Sequence, residues 1–349
     1  MIDEPLPPKD RPYSDSASAR VAVIVPAYGV ADVVGEALSS LEAQTMEDWE
    51  CVVIDDGSPD DVTSAVEPFL SDSRIRFLKT ANRGVSSARN TAIASCKAPL
   101  IALLDGDDRF EPDYLARIVP LMEADKDARL ATCNARLFGS ISQEVPIVQD
   151  KQGNEDGRTG SLADVLDRSF NVYIGSTFRR ADYERIGGFD EAMAQAEDLD
   201  LWFRLMALGG HALYVDAILG AYRVREGSAS GHMGKMLRGN IRAYEKVLQL
   251  IGGQPETALV HQLLEKNRRA LRFEDAIDMI LDGKVHDGLE KIAGNDVDHP
   301  TSLAWKLSMR IWRIFPSLAP AMLAWRRHTH RRGGQSFRSF TFSANKKAA

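Results

Sequence analysis

Residues 100–110 read LIALLDGDDRF, five apolar residues running directly into three carboxylates, Asp105, Asp107 and Asp108. A short apolar run ending at a turn suits a strand buried on both faces of a sheet. Gly106 permits a tight turn and a close approach of backbone to a ligand. The acids then stand at the carboxyl end of a strand, where open α/β sheets hold their ligands. Like charges this close repel unless a cation offsets them. A hard divalent metal bridging phosphate oxygens is the chemistry that calls for such a cluster. The alternative is an acidic turn that binds nothing.

Upstream of this stretch, strand and helix alternate. VAVIV (21–25) reads as a strand stopped by Pro26-Ala27-Tyr28-Gly29, and a helix follows over about 32–44, with Val33, Val34, Ala37, Leu38 and Leu41 on one side. CVVI (51–54) is a second strand running into Asp55-Asp56-Gly57-Ser58, and Asp60 or Asp61 can cap the helix after it. Residues 75–78 form a third strand, and Asn82-Arg83-Gly84 turns into a helix carrying Arg89 and Asn90. This order predicts an α/β fold with a Rossmann-like, mainly parallel sheet flanked by helices. A dinucleotide site is excluded: the first turn carries Pro26 and Tyr28 instead of G-x-G-x-x-G, and no P-loop pattern is present.

Downstream the pattern is less regular. Residues 113–124 read as a helix, 130–138 as a strand, 149–160 as a polar loop and 173–180 as a strand. RIGGFDE (185–191) holds a glycine pair suited to a tight turn, and Glu197-Asp198 opens an amphipathic helix with Leu199, Trp202, Phe203, Leu205 and Met206. Acids in a first helical turn are favoured by the helix dipole, one reading of that pair. From about 234 the chain reads as helices over 237–251, 257–275 and 275–292.

The 349 residues, 44% hydrophobic and 27% charged, suit one large domain with appendages. Residues 1–20, rich in Pro, Ser and charge, read as a disordered lead and lack the apolar core of a signal peptide. Three cysteines, Cys51, Cys96 and Cys133, lack metal spacing and read as buried thiols in a reducing compartment. No apolar run approaches the ~20 residues that span a bilayer. Residues 301–349 hold ten Lys and Arg and no acid; this tail carries +10 of a chain whose total is −7, so residues 1–300 carry −17. Trp and Phe alternate with Arg there, which suits a helix on an anionic membrane or a helical appendage packed on protein. The −17 of the remainder argues against nucleic acid.

VAVIVPAYGV, VVIDDGSPD, NRGVSSARN, LLDGDD, and GGFDE followed by AEDLDLWFRL occur in that order between residues 21 and 230. Each alone is a weak signal; together they resemble the family 2 glycosyltransferases of the GT-A fold. The resemblance implies an inverting hexosyl- or N-acetylhexosaminyl-transferase that uses a nucleotide-sugar, commonly a UDP-sugar, with Mn²⁺ or Mg²⁺. It implies a glycan or lipid-linked acceptor and a role in surface polysaccharide or glycolipid synthesis; the basic tail adds the expectation of a cytoplasmic chain peripheral on the inner face of the membrane. The resemblance marks a GT-A domain (21–232); composition, helical spacing and charge add the lead (1–20), a helical extension (233–300) and the basic tail (301–349).

Residue by residue, Asp105-Gly106-Asp107 looks like the family's D-x-D. Asp105 would contact the ribose or donor sugar, Asp107 would ligate the metal, and Asp108 would support them. Asp56 resembles the acceptor of the uracil N3–H, with an ordinary Asp-Gly turn as the alternative and Asp55 structural. Pro26, Ala27 and Tyr28 look like the loop under the base. Arg83 and Arg89 could approach the donor, or be a surface charge and a buried structural pair. Asp198 resembles the general base, with Glu197 orienting it or the acceptor. Many members carry a His after Tyr-Arg-x; this chain has Arg225, which cannot ligate a metal. Either the metal has only Asp107 and the diphosphate, or Arg225 replaces some of its charge. Acceptor choice is expected in 138–178. A sugar-nucleotide- or glycan-binding relative without catalysis is the main rival, and Asp198 argues against it. A D-x-D phosphatase would need its acids after the first strand, and a nucleotidyltransferase a Gly-rich loop there.

Overall fold

The computed structural model describes residues 19–332, apart from 142, 148–157, 226–232, 295, 299 and 301. It divides into two compact units, Met1–Arg225 and Glu226–Ala349. The lead expected over residues 1–20, except for Ala19 and Arg20, and most of the loop expected at 149–160 lie outside the described residues.

The first unit is built on one ten-stranded sheet. Its strands are β1 (Val21–Ala27), β2 (Trp49–Asp56), β3 (Ile75–Thr80), β4 (Leu100–Leu103), β5 (Arg109–Phe110), β6 (Ala128–Gly139), β7 (Val145–Pro146), β8 (Arg158–Gly160), β9 (Thr177–Arg179) and β10 (His211–Val224). The order β3-β2-β1-β4 is parallel throughout, as the upstream alternation predicts. Val21–Val25, Cys51–Ile54 and Leu100–Leu103 are buried along their whole length, because helices cover both faces. Beyond β4 the sheet is mixed: β9 runs antiparallel to both β4 and β6, while β6 and β10 pair in parallel. The long strand β10 carries no expectation from the sequence, where its apolar residues follow no clean alternation. Bulges around Val215–Gly220 break its period.

The helices of this unit are α1 (Val34–Glu42), α2 (Val62–Val66), α3 (Val85–Ala94), α4 (Tyr114–Ala124), α5 (Leu162–Asp167), α6 (Arg180–Arg185) and α7 (Glu197–Met206). Asp61, not Asp60, caps α2, accepting the Ser64 N–H at 3.1 Å. Asp60 instead accepts the Ala31 N–H at 2.8 Å and so ties down the loop after β1. All three cysteines are free and buried.

The second unit is helical: α8 (Met233–Leu250), α9 (Thr257–Leu281), α10 (Val285–Ala293), α11 (Leu303–Ile314) and α12 (Ala319–Arg332). The break expected at Asp275 falls inside α9, which runs on until Gly283 takes a φ of +89°. Its core gathers Ile277, Ile280, Leu289, Ile292, Trp305, Trp312 and Leu323. Trp305 and Trp312, seven residues apart on α11, meet edge to face at 5.4 Å. No described helix is long and apolar enough to cross a membrane.

Candidate active site

The acidic turn lies where the topology requires, at the carboxyl end of β4 beside β1. The Gly106 N–H donates to the Pro26 carbonyl at 3.2 Å, so the D-x-D turn rests on the Pro26–Ala27 loop. A Cβ on Gly106 would stand 2.9 Å from that carbonyl and 3.2 Å from Val30 Cγ2. Backbone cannot retreat as a side-chain tip can. Gly106→Ala should therefore cost about 1–3 kcal/mol, read as a lower midpoint in urea. An unchanged midpoint would refute this packing.

The three acids differ in environment. Asp105 is partly exposed and accepts from Arg89 Nη2 at 2.6 Å. Asp107 is pushed up to about 6 by burial and by the Asp105 charge, although Arg225 pulls the other way. Asp108 is buried, accepts the Arg223 N–H at 2.7 Å and lies 3.5 Å from the Tyr173 hydroxyl; burial and the two neighbouring acids raise it well above the ordinary range. Arg223 also donates from Nε to the Asp107 carbonyl at 2.7 Å and pairs with Glu36. Thus Arg223 and Tyr173 hold the acidic turn from the β10 and β9 sides. Sequence reasoning missed both. The Tyr-Arg-x segment that contains Arg223 was visible as a motif, but nothing local ties it to residue 108.

Arg89 on α3 decides how the site closes. Its side chain is 2% exposed and forks between Asp105 and Glu197 Oε1, the latter at 3.0 Å. Burial opposes the guanidinium charge, yet the two carboxylates hold it above its ordinary range. This one residue joins the D-x-D turn to the start of α7, over a hundred positions away. Of the two sequence readings of Arg89, its contacts are those of a buried pair. Arg83, the other arginine of that segment, is exposed and pairs with Glu191 at 3.2 Å.

At the start of α7, Glu197 is spent on Arg89, while Asp198 accepts the Leu199 N–H at 2.7 Å. Both acids lie in the first turn of α7, as the helix-dipole reading expects, but only Asp198 bonds a backbone N–H there. Burial and Glu197 push Asp198 up to about 6. The residue before the pair, Ala196, has a φ of +59° with no side-chain cap. A left-handed alanine costs roughly 1–2 kcal/mol, and such strain gathers at functional sites.

Opposite, Asp56 at the end of β2 accepts the Arg83 and Gly84 N–H groups at 2.9 and 2.8 Å, one on each oxygen. Asp55 accepts the Ser58 N–H at 2.7 Å. Pro26 is half-buried and Tyr28, 53% exposed, stands free beyond β1. Arg225 donates to the Gly29 carbonyl at 2.9 Å and pairs with Asp32 at 3.3 Å. Its charge is already engaged by the loop after β1.

Among the described residues no three His, Cys, Asp or Glu side chains converge as a metal cage. The donor set does fit a cation that arrives with a diphosphate. Among the described residues no guanidinium bonds the Asp107 carboxylate, and Mg²⁺ or Mn²⁺ in phosphate chemistry commonly takes only one or two protein carboxylates.

Residues 22–187 match the sequence pattern of the family described as "Glycosyl transferase family 2". The succinoglycan biosynthesis protein ExoU of Rhizobium meliloti (strain 1021) is 28% identical over 331 residues, 88% of this chain and 93% of ExoU. S. aureus TarS, solved in complex with UDP-GlcNAc, superposes with a TM-score of 0.60 at 17% identity, over 78% of this chain and 81% of TarS. The mannosyltransferase PcManGT of Pyrobaculum calidifontis, solved with GDP-Man and Mn²⁺, superposes with a TM-score of 0.56 at 18% identity, over 92% and 90%. At these identities both structures speak to fold.

Proposed function

The chain belongs to glycosyl transferase family 2, with a GT-A fold, and on that premise we propose that it is an inverting enzyme moving a sugar from a UDP-sugar to an acceptor hydroxyl in polysaccharide or glycolipid synthesis. The observation that carries this reading is the Arg89 bridge. It draws a D-x-D turn and the Glu197-Asp198 pair to one site, and a transferase needs both a diphosphate anchor and a base.

In this proposal Tyr28 and Pro26 form the floor under the base, and Asp56 accepts from the uracil N3–H through lone pairs left over from its two backbone bonds. Asp105, oriented by Arg89, meets the ribose or donor sugar. Asp107 would hold Mn²⁺ or Mg²⁺, and the cation would supply charge neutralisation to the leaving diphosphate. Asp198 takes the acceptor hydroxyl proton as that oxygen attacks the anomeric carbon. The bond to the diphosphate oxygen breaks on the opposite side, and one displacement inverts the centre. Glu197 keeps Asp198 basic by adding negative charge beside it. Arg83 borders the site from the α3 side. The relatives named for polysaccharide synthesis support the acceptor class.

Calorimetric titration of UDP and GDP, with and without Mn²⁺, tests the donor assignment. UDP should bind with Mn²⁺ present, and Asp107→Ala should weaken it about tenfold or more, a loss of about 1.4 kcal/mol. Preference for GDP would overturn the uridine assignment. No binding of either nucleotide would overturn the donor site.

A further inference from the structure

The helical unit turns most of its apolar surface inward and leaves one strip outside. Eleven large hydrophobic side chains are strongly exposed among the described residues, and seven of these fall between 303 and 325. In a protein of this size such exposed residues are ordinary when scattered; their concentration here is what calls for a partner.

Helical spacing sorts α11 into two faces. Trp305 and Trp312 share the inner face and are 3% and 2% exposed. Leu303, Leu307 and Ile314, at i, i+4 and i+11, share the opposite stripe and are 83%, 55% and 71% exposed. Arg310 falls on that stripe, while Lys306 and Arg313 run along one flank of it. The chain then continues through exposed Phe315 and Leu318 to Trp325, 69% exposed on α12. The aromatic–basic tail thus splits its tryptophans: two complete the protein core and one is left out.

We propose that this strip is a docking surface for an anionic lipid bilayer, entered by Leu303, Leu307, Ile314, Phe315 and Trp325 to interfacial depth. Charge selects the occupant. Residues 301–349 contain no Asp or Glu, so the strip has only basic neighbours in sequence. Lys306, Arg310 and Arg313 can lay their aliphatic stems on the apolar stripe and set their charges among phosphate head groups. A second copy of the same face would bring those cations together, which disfavours self-association. Each basic residue near an anionic surface adds to the attraction. The −17 on residues 1–300 is repelled by the same surface, confining contact to this end of the chain.

The chain contains its own reporter. Of its five tryptophans, Trp49, Trp202, Trp305 and Trp312 are buried and Trp325 alone is exposed. The full-length protein would be floated with vesicles of phosphatidylcholine, or of phosphatidylcholine mixed with phosphatidylglycerol, while acrylamide quenching is followed. Binding is expected only to the mixed vesicles, with a blue shift and loss of quenching that vanish in Trp325→Phe. The double variant Leu307→Glu/Ile314→Glu should bind at least about tenfold more weakly, with an unchanged circular dichroism spectrum because both positions are exposed. Three results would overturn the proposal: no flotation with anionic vesicles, equal binding by the double variant, or a Trp325 still quenchable in the bound protein. A dimer in sedimentation velocity that the double variant abolishes would assign the strip to a second copy and overturn it equally.

Discussion

Asp198→Asn should lower kcat by about 10²–10⁴-fold, the usual contribution of a general base, while leaving UDP binding unchanged. The amide oxygen can still accept the Leu199 N–H that the carboxylate now takes at 2.7 Å, so the start of α7 should survive. Wild-type kcat, at saturating donor and metal, should fall tenfold per pH unit below about 6, where Asp198 takes up its proton. That acid limb should be missing from the residual activity of the variant. Stability should move the other way. The folded-state pKa lies above the ordinary 3.8, so the fold favours the protonated acid. The resulting stabilisation is complete below 3.8 and disappears as pH rises through 6. At neutral pH the wild type therefore carries an ionised, crowded Asp198 at the expense of stability, and Asp198→Asn should melt no lower than wild type. A kcat within tenfold of wild type, or an acid limb that persists, would sink the base assignment.

Arg89→Ala should be the most destabilising single change at the site. It deletes the buried partner of two carboxylates and leaves Asp105 and Glu197 facing Asp107 and Asp198 uncompensated. Breaking a buried pair from one side costs about 3–5 kcal/mol. Because Asp105 is partly exposed, the lower end applies, about 3 kcal/mol after screening by water. In a domain of this size that is a Tm lower by roughly 6–12 °C. Arg89→Lys should fall between, since one ammonium cannot fork to both carboxylates. The loss should shrink at pH 5, because Asp107 and Asp198, each pushed up to about 6, are largely protonated there and no longer repel the two carboxylates that lost their arginine. Calorimetric melting at pH 7.5 and 5 checks both statements. A Tm within about 2 °C of wild type at pH 7.5 would mean that the bridge is not structural.

The two variants separate roles that the sequence runs together. NRGVSSARN and AEDLDLWFRL each carry charged residues with a local explanation available: a surface arginine in one, acids at a helix start in the other. Asp198 fits both its local explanation and a catalytic one, and only the rate can divide them. Glu197 keeps the local one too, as an acid in the first turn of α7, but its carboxylate is also bonded by Arg89.

By itself the sequence determined what short-range physics controls. VAVIV, CVVI and LIALL are uniformly apolar because they lie between two helical layers, so their runs announced buried parallel strands. The turn residues after them raised the expectation of a site at their carboxyl ends, and five ordered motifs carried the resemblance to the family 2 glycosyltransferases. The tertiary structure alone decided what depends on partners distant in the chain. Arg89 became a bridge because the fold brings α3 and the start of α7 to the acidic turn after β4, a relation that no spacing encodes. Arg225 came to rest on Gly29 and Asp32 because β10 runs back toward β1's loop, and Arg223 reached Asp107 and Asp108 the same way. In the tail, composition could not divide Trp305 and Trp312 from Trp325. Burial against α9 and α10 did, since a core accepts only the helix face that its own packing presents to it.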